Sequence, residues 1–274
     1  MDFQGRCVYV SGGSSGIGLA AARLFSSKGA DVFIFSVDDK EAMEKALSEI
    51  EDAKQYDTQR FESLQLDVSD EKAVAEKLAS AADSFGAPYV IINSAGIGGA
   101  VYFEKLSFER FDATMKINLY GTRNVIAALL SRMKNGGGYI VNVSSFSGLV
   151  GIVGYTAYAS SKFAVVGFSQ SLRAELKPDG IFVSVMCPPQ VDTPLLAKTD
   201  PDKPPETKAI NDRAGMLSAQ EVAEYMFRAM MKKEFLIIPG AKAKLFHLFN
   251  RLLPTVRERI TNRIVDKVRK NLGA

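Results

Sequence analysis

The strongest constraint on this chain is a regular alternation of short apolar runs and helical patterns. Runs rich in Val, Ile, Phe and Tyr fall at residues 6–10, 31–37, 61–66, 88–92, 138–144, 181–186 and 235–238. Between them, apolar residues recur every three or four positions, which predicts helices over 17–27, from 40, over 71–85, over 107–134, over 158–176 and from 218. Strands that alternate with helices pair in parallel, and a parallel sheet is covered on both faces. The pattern predicts an α/β fold in one domain, a parallel sheet with helices on both faces. Cap residues support the boundaries: Asp38 and Glu41 stand at capping-box spacing, as do Ser218 and Glu221, while Pro178 and Gly180 close the helix at 158–176. The stretch 107–134 is expected to break near Asn118 and Gly121. Residues 195–217, polar and rich in Pro, Lys and Asp, read as a long loop and a substrate lid.

Two motifs lie where predicted strands end. The first is Ser11-Gly-Gly-Ser-Ser-Gly16-Ile-Gly18. Glycines at 12, 16 and 18 let the backbone turn tightly and approach a diphosphate at a helix N-terminus. No Lys-Ser/Thr pair follows, so P-loop hydrolysis is not expected. The second runs from Ser145 to Lys162. Tyr158 and Lys162, four apart on a helix, share a face, and Ser145 can come round from the strand end to meet them. An ammonium beside a phenol favours the phenolate, so the pair predicts a tyrosine pKa lowered toward neutrality. That phenol would exchange a proton with a carbonyl polarised by a neighbouring hydroxyl. The plainer alternative is a helix start with an exposed Tyr and a solvated Lys. Tyr155 has no Lys four residues on and is expected in the substrate pocket or simply packed.

Composition narrows the chemistry. With 47% apolar residues in 274, a core is easily filled. A single histidine, His247, and two cysteines, Cys7 and Cys187, leave neither a zinc site nor a Ser-His-Asp triad, and no metal is expected. Both cysteines lie in or beside predicted strands and read as reduced thiols. No signal-like segment opens the chain, and no apolar run approaches the ~18 residues needed to cross a bilayer. The expectation is a cytoplasmic protein.

Taken in order, the glycine loop, Asp67-Val68, Asn93-Ser94-Ala95-Gly96, Asn118, Ser145, Tyr158 with Lys162, and the stretch from Pro188 to Thr193 resemble the short-chain dehydrogenase/reductase family over about residues 5–240. The resemblance implies a single doubly wound (Rossmann) domain with a seven-stranded parallel sheet, and hydride transfer between NAD(P) and a carbonyl or alcohol carbon. It assigns Tyr158 as the acid in reduction, with Lys162 holding the nicotinamide ribose. Ser145 would steady the substrate oxygen, and Asn118 would anchor a water in the proton relay. Cofactor contacts implied are Gly12, Ser14, Ser15, Gly16, Ile17, Gly18, Ser36, Asp67, Val68, Asn93, Ala95, Gly96, Tyr158, Lys162, Pro188, Val191 and Thr193. Asp67 would meet the adenine amino group and Thr193 the carboxamide. Ser94 and Pro189 depart from the residues usual in the family. Ser36 stands where an acid would select NAD, and no Arg follows it. The hydroxyls of Ser14, Ser15 and Ser36, with Lys40 nearby, favour NADP(H), whereas Asp38 and Asp39 leave NAD(H) open.

The Gly-Gly-Ser-Ser-Gly loop, the Pro-Pro-x-x-Asp-Thr-Pro stretch and the segment 203–210 are similar to one branch of that family, the 3-ketodihydrosphingosine reductases. That resemblance implies reduction of a long-chain lipid ketone. Another hydrophobic ketone or alcohol (steroid, fatty acyl or xenobiotic) is the alternative within the chemistry, and a non-catalytic dinucleotide sensor the alternative outside it. Family habit implies a homodimer or homotetramer. Beyond a domain at 1–240, residues 241–274 carry nine Lys or Arg against two acids, net +7, which leaves −4 for the rest of a chain at +3. A cluster of Leu245, Phe246, Leu248, Phe249, Leu252 and Leu253 is broken by Pro254, after which Val256, Ile260, Ile264 and Val268 recur every four residues. This basic amphipathic extension either lies on an anionic membrane or packs its stripe on the body or a second subunit. Nucleic acid is not an expected partner, because the cations alternate with apolar residues and only two Phe could stack on bases.

Overall fold

Strand residues that are apolar on both faces need two covers, and the chain supplies them. The computed structural model describes residues 3–134, 136–199, 203–212 and 215–272. Its strands are Cys7–Ser11 (β1), Asp31–Ser36 (β2), Phe61–Gln65 (β3), Pro88–Asn93 (β4), Gly138–Val143 (β5), Ile181–Met186 (β6), Gln190–Asp192 (β7), Met216–Ser218 (β8) and Leu236–Ile237 (β9). Its helices are Gly16–Ser26 (α1), Lys40–Glu51 (α2), Glu71–Ser84 (α3), Phe108–Met115 (α4), Thr122–Met133 (α5), Thr156–Leu176 (α6), Pro194–Thr199 (α7), Pro205–Asn211 (α8), Ala219–Met231 (α9), Ala241–Leu252 (α10) and Pro254–Asn271 (α11). Seven strands form one parallel sheet in the order β3-β2-β1-β4-β5-β6-β9. Val8, Val10, Ile34 and Ile92 face one cover, with Phe25 of α1, Met43 of α2 and Met226 of α9. Tyr9, Phe33, Ile91 and Ile140 face the other, with Leu78 of α3, Leu129 of α5 and Leu176 of α6. Each such fully buried side chain contributes on the order of 1.5–3 kcal/mol.

Strand order reverses between β1 and β4, so the connections diverge there and leave a crevice at the carboxyl ends of the strands. The expected break in 107–134 is a π-helical turn, Lys116–Gly121, between α4 and α5. One extra residue in that turn aims Asn118 inward, where it is 1% exposed. Gly121 is required there, since a Cβ would lie 2.5 Å from Cγ2 of Val68.

Several expectations shift. Asp39, not Asp38, caps α2 by accepting from the amide of Ala42 at 2.9 Å, and Asp38 turns to other partners. The Ser218–Glu221 capping box forms on α9 as anticipated. The stretch 195–217 is not a plain loop: it contains most of α7, all of α8 and the start of β8, which pairs with β7. Pro204 and Pro205 sit at the start of α8, where a missing N–H costs nothing, rather than acting as breakers. Residues 200–202, 213 and 214 of that stretch lie outside the described residues. In α11 the expected stripe is kept at Ile264 and Val268, half-buried together with Arg257 and Thr261, whereas Val256 is exposed and Ile260, though 42% exposed, still reaches the crevice. Arg269 ties α11 to α8 by donating to Glu206 at 3.0 Å, and that buried carboxylate also accepts from Tyr102 at 2.6 Å.

Candidate active site

A cavity of about 1230 Å³ occupies the crevice and runs from the loop after β1 to the α10–α11 hairpin. At its first end the backbone of the glycine loop is bare by necessity. Gly12 and Gly16 have φ of 63° and 55°, a Cβ on Gly12 would sit 2.8 Å from the Ala95 amide, and one on Gly18 would meet the Gly12 carbonyl at 2.1 Å. Ser15 opens α1 with no side-chain cap, so the first-turn amides of this helix are left for an anion. The cradle fits a dinucleotide diphosphate. Ser11 accepts from the amides of Ser94 and Ala95, 3.1 Å each, which fixes the end of β4 against β1.

Beside this cradle the carboxylate of Asp38 accepts hydrogen bonds from the hydroxyls of both Ser14 and Ser36, the latter at 2.9 Å. Two of the three hydroxyls that the sequence offered to a phosphate are therefore engaged by an acid. Asp67 lines the cavity and accepts from the amide and hydroxyl of Ser69 at 2.8 Å.

In the middle of the cavity stand Ser145, Tyr158 and Lys162. Ser145, just past β5, accepts from the Ser147 amide at 3.1 Å and stands near enough to the Tyr158 phenol for its hydroxyl to oppose the rise in that phenol's pKa. Lys162 is 6% exposed, lies 5.7 Å from the centre of the Tyr158 ring, and donates to the Val143 carbonyl at 3.0 Å. The solvated-lysine alternative is thus removed. The electrostatics differ from expectation. Burial pushes the Tyr158 phenol up to about 12, against the opposing pull of the Ser145 hydroxyl, and burial pushes Lys162 down to about 8. Lost hydration outweighs the neighbouring ammonium, which is directed at Val143. The phenol is held in its protonated, donating form.

Around this centre, Asn118 accepts from the Ile97 amide at 2.8 Å and donates to the Ile97 carbonyl and to Ser161, fixing the segment after β4 against α6. Gly96 lets that segment pass. A Cβ there would lie 3.0 Å from Oδ1 of Asn118 and 3.4 Å from Nζ of Lys162. Asn93 donates to Asn142 at 2.8 Å, and Asn142 to Ser169 at 2.9 Å, a buried chain behind the site. Tyr155 is packed: its ring lies 5.4 Å from that of Tyr158, and its hydroxyl accepts from Asn211.

Of the residues singled out in the sequence, Gly12, Ser14, Ser15, Gly16, Ile17, Ser36, Asp67, Val68, Ala95, Gly96, Ser145, Tyr158, Lys162, Pro188, Val191 and Thr193 all line the cavity. Gly18, Asn93 and Asn118 stand behind its wall. Sequence reasoning missed Asn142 and Ser161, which no spacing marks. It also missed the apolar far wall of Leu195 and Leu196 from α7 and Phe246, Phe249, Ile260 and Ile264 from the tail. Both cysteines are free and buried. Among the described residues no cluster of His, Cys, Asp and Glu is arranged for a metal, and no helix is long and apolar enough to cross a membrane.

Comparison with known proteins agrees with this geometry. The family model described as short chain dehydrogenase matches residues 6–204. A 3-dehydrosphinganine reductase of Danio rerio is 33% identical over 240 residues, covering 86% of this chain and 71% of that protein. A 3-ketodihydrosphingosine reductase of Bos taurus is 34% identical with the same coverage. Among solved structures, levodione reductase superposes with a TM-score of 0.79 at 25% identity, covering 88% of this chain and 99% of that one. A short chain dehydrogenase/reductase of Burkholderia phymatum in complex with NAD gives 0.78 at 24% identity, covering 92% and 96%.

Proposed function

The chain belongs to the short-chain dehydrogenase family, an NAD(P)-dependent oxidoreductase acting on a CH–OH group, and from that premise we propose that it reduces a long-chain lipid ketone, with 3-ketodihydrosphingosine the leading substrate. The observation that carries this reading is a half-buried, protonated Tyr158 beside Ser145 in a cavity whose far wall is apolar. When bound, the nicotinamide supplies the hydride. The hydroxyls of Ser145 and Tyr158 receive the ketone oxygen, and Tyr158 gives it the proton. Lys162 holds the nicotinamide ribose, Thr193 the carboxamide and Asp67 the adenine. Residues 1–240 carry the chemistry, and 241–274 wall the substrate.

Asp38 bears on the cofactor. The sequence favoured NADP(H) through serine hydroxyls, two of which now donate to this carboxylate. A carboxylate there accepts from a ribose diol and repels a 2′-phosphate, which supports NAD(H).

One observation favours a second substrate reading. The acidic residues lining the cavity, Asp38 and Asp67, both belong to the proposed adenosine end, while the substrate end has Lys198, Lys242 and Arg257. Among the described residues that line that end no carboxylate meets the ammonium of a sphingoid base, so a hydrophobic ketone without a positive charge fits as well. The test follows nicotinamide absorbance with NADH and NADPH in turn. The substrates are 3-ketodihydrosphingosine in mixed micelles, a steroid ketone and a short ketoester. Turnover confined to the sphingoid ketone upholds the first reading, and preference for an uncharged ketone upholds the second. Cofactor binding without turnover on any ketone would leave a dinucleotide sensor.

A further inference from the structure

The α10–α11 hairpin has two unlike faces. Its inner face closes the substrate end of the cavity with Phe246, Phe249, Ile260 and Ile264. Its outer face is apolar yet uncovered: around the turn at Pro254, Leu248, Leu252, Leu253 and Val256 are 51%, 66%, 49% and 42% exposed. The two faces join at Leu245, which lines the cavity while remaining 69% exposed. Exposed cations flank the patch, among them Lys244, Arg251, Arg259 and Arg263, within the segment whose net charge is +7.

We propose that this outer face docks on an anionic lipid surface, and that the lipid ketone passes from the bilayer into the cavity along the hairpin. The second half of the statement rests on the lipid-ketone reading above. The first half does not. Charge selects the occupant. A second copy seated on this face would bring two segments of +7 together, whereas an anionic bilayer offers both the apolar depth that the leucines need and the counter-charge that the Lys and Arg need. Continuity with the cavity lining at Leu245 gives the patch a use that an ordinary packing face lacks.

Sedimentation of the full chain with phosphatidylcholine vesicles, with and without phosphatidylserine, tests this. The chain is expected to pellet with the anionic vesicles alone and to be released by salt. A Leu248→Ser, Leu252→Ser, Leu253→Ser variant is expected to stay in the supernatant. A Lys244→Glu, Arg251→Glu, Arg259→Glu variant is expected to partition roughly 100-fold more weakly. Both should bind cofactor and turn over a short, water-soluble ketone like the parent, but lose turnover of vesicle-held lipid ketone. Parent protein left in the supernatant with anionic vesicles would overturn the proposal. So would light scattering that shows the leucine variant losing a dimer while the parent ignores vesicles. Vesicle binding without turnover of 3-ketodihydrosphingosine even in micelles upholds the docking and removes the sphingoid-ketone reading instead.

Discussion

The ammonium of Lys162 donates to the main-chain carbonyl of Val143 across 3.0 Å, tying α6 to the last residue of β5. The bond is charge-assisted only while Lys162 is an ammonium, the neutral amine donating more weakly, and burial has brought its pKa down to about 8. Ketone reduction is therefore expected to fall as pH rises through about 8. A pH profile of turnover checks this, and Lys162→Arg, whose guanidinium does not titrate there, should abolish that limb. Stability has the opposite sign. Between about 8 and the ordinary 10.5 the unfolded chain binds the proton that the folded chain releases, so this group's contribution rises with pH in that window. Urea midpoints on both sides of the window measure it.

Tyr158→Phe removes the proton donor and leaves the ring. Turnover is expected to drop roughly 10²- to 10⁴-fold, with cofactor affinity, read by nicotinamide fluorescence, unchanged. Alcohol oxidation needs the phenolate, so its rate should climb with pH toward about 12. Ser145→Ala deletes a hydroxyl that lowers the phenol's pKa and should move that climb to still higher pH.

Asp38→Asn keeps the shape of the side chain and discards the charge. Loss of a charge-assisted bond to the ribose should raise the KM for NADH by about 10- to 100-fold. Pairing Asp38→Asn with Val37→Arg should bring NADPH to parity or better, read as the ratio of kcat/KM values. An unchanged ratio would remove Asp38 from cofactor choice.

Asn142→Ala breaks the buried chain from Asn93 to Ser169 at its middle. Two donors or acceptors lose their partners inside the sheet, and the expected cost is about 1–3 kcal/mol in urea unfolding. The catalytic pH profile should not move, since none of the three residues touches the cavity.

The sheet was legible because strands buried on both faces read as unbroken apolar runs, and β1 through β6 fell within a residue or two of expectation. Tyr158 and Lys162 were legible because a spacing of four on a helix is a fixed geometry. Their ionisation was not, because the sign of a pKa shift depends on how much water is lost. Sequence showed the ammonium beside the phenol but not the depth of either. Asp38 was misread for a related reason: two adjacent acids competed for one cap, and local spacing could not say that Asp39 would take it. Asn142 carries no signature at all, since an Asn in a strand acquires meaning only from the strand beside it.

Val8 and Val90 are neighbours in the sheet although two strands and three helices separate them in the chain. The ladder they share is closed by a long excursion, and such pairings are slow to form. Everything that the crevice holds depends on that closure. A dinucleotide spanning from the glycine loop after β1 to the segment after β4 bridges the seam, and what binds only the closed form draws the population toward it. Bound as proposed, the cofactor would be a reagent in the reaction and also the clasp of the fold, so depletion of nicotinamide nucleotide should shorten the protein's lifetime before it slows the chemistry.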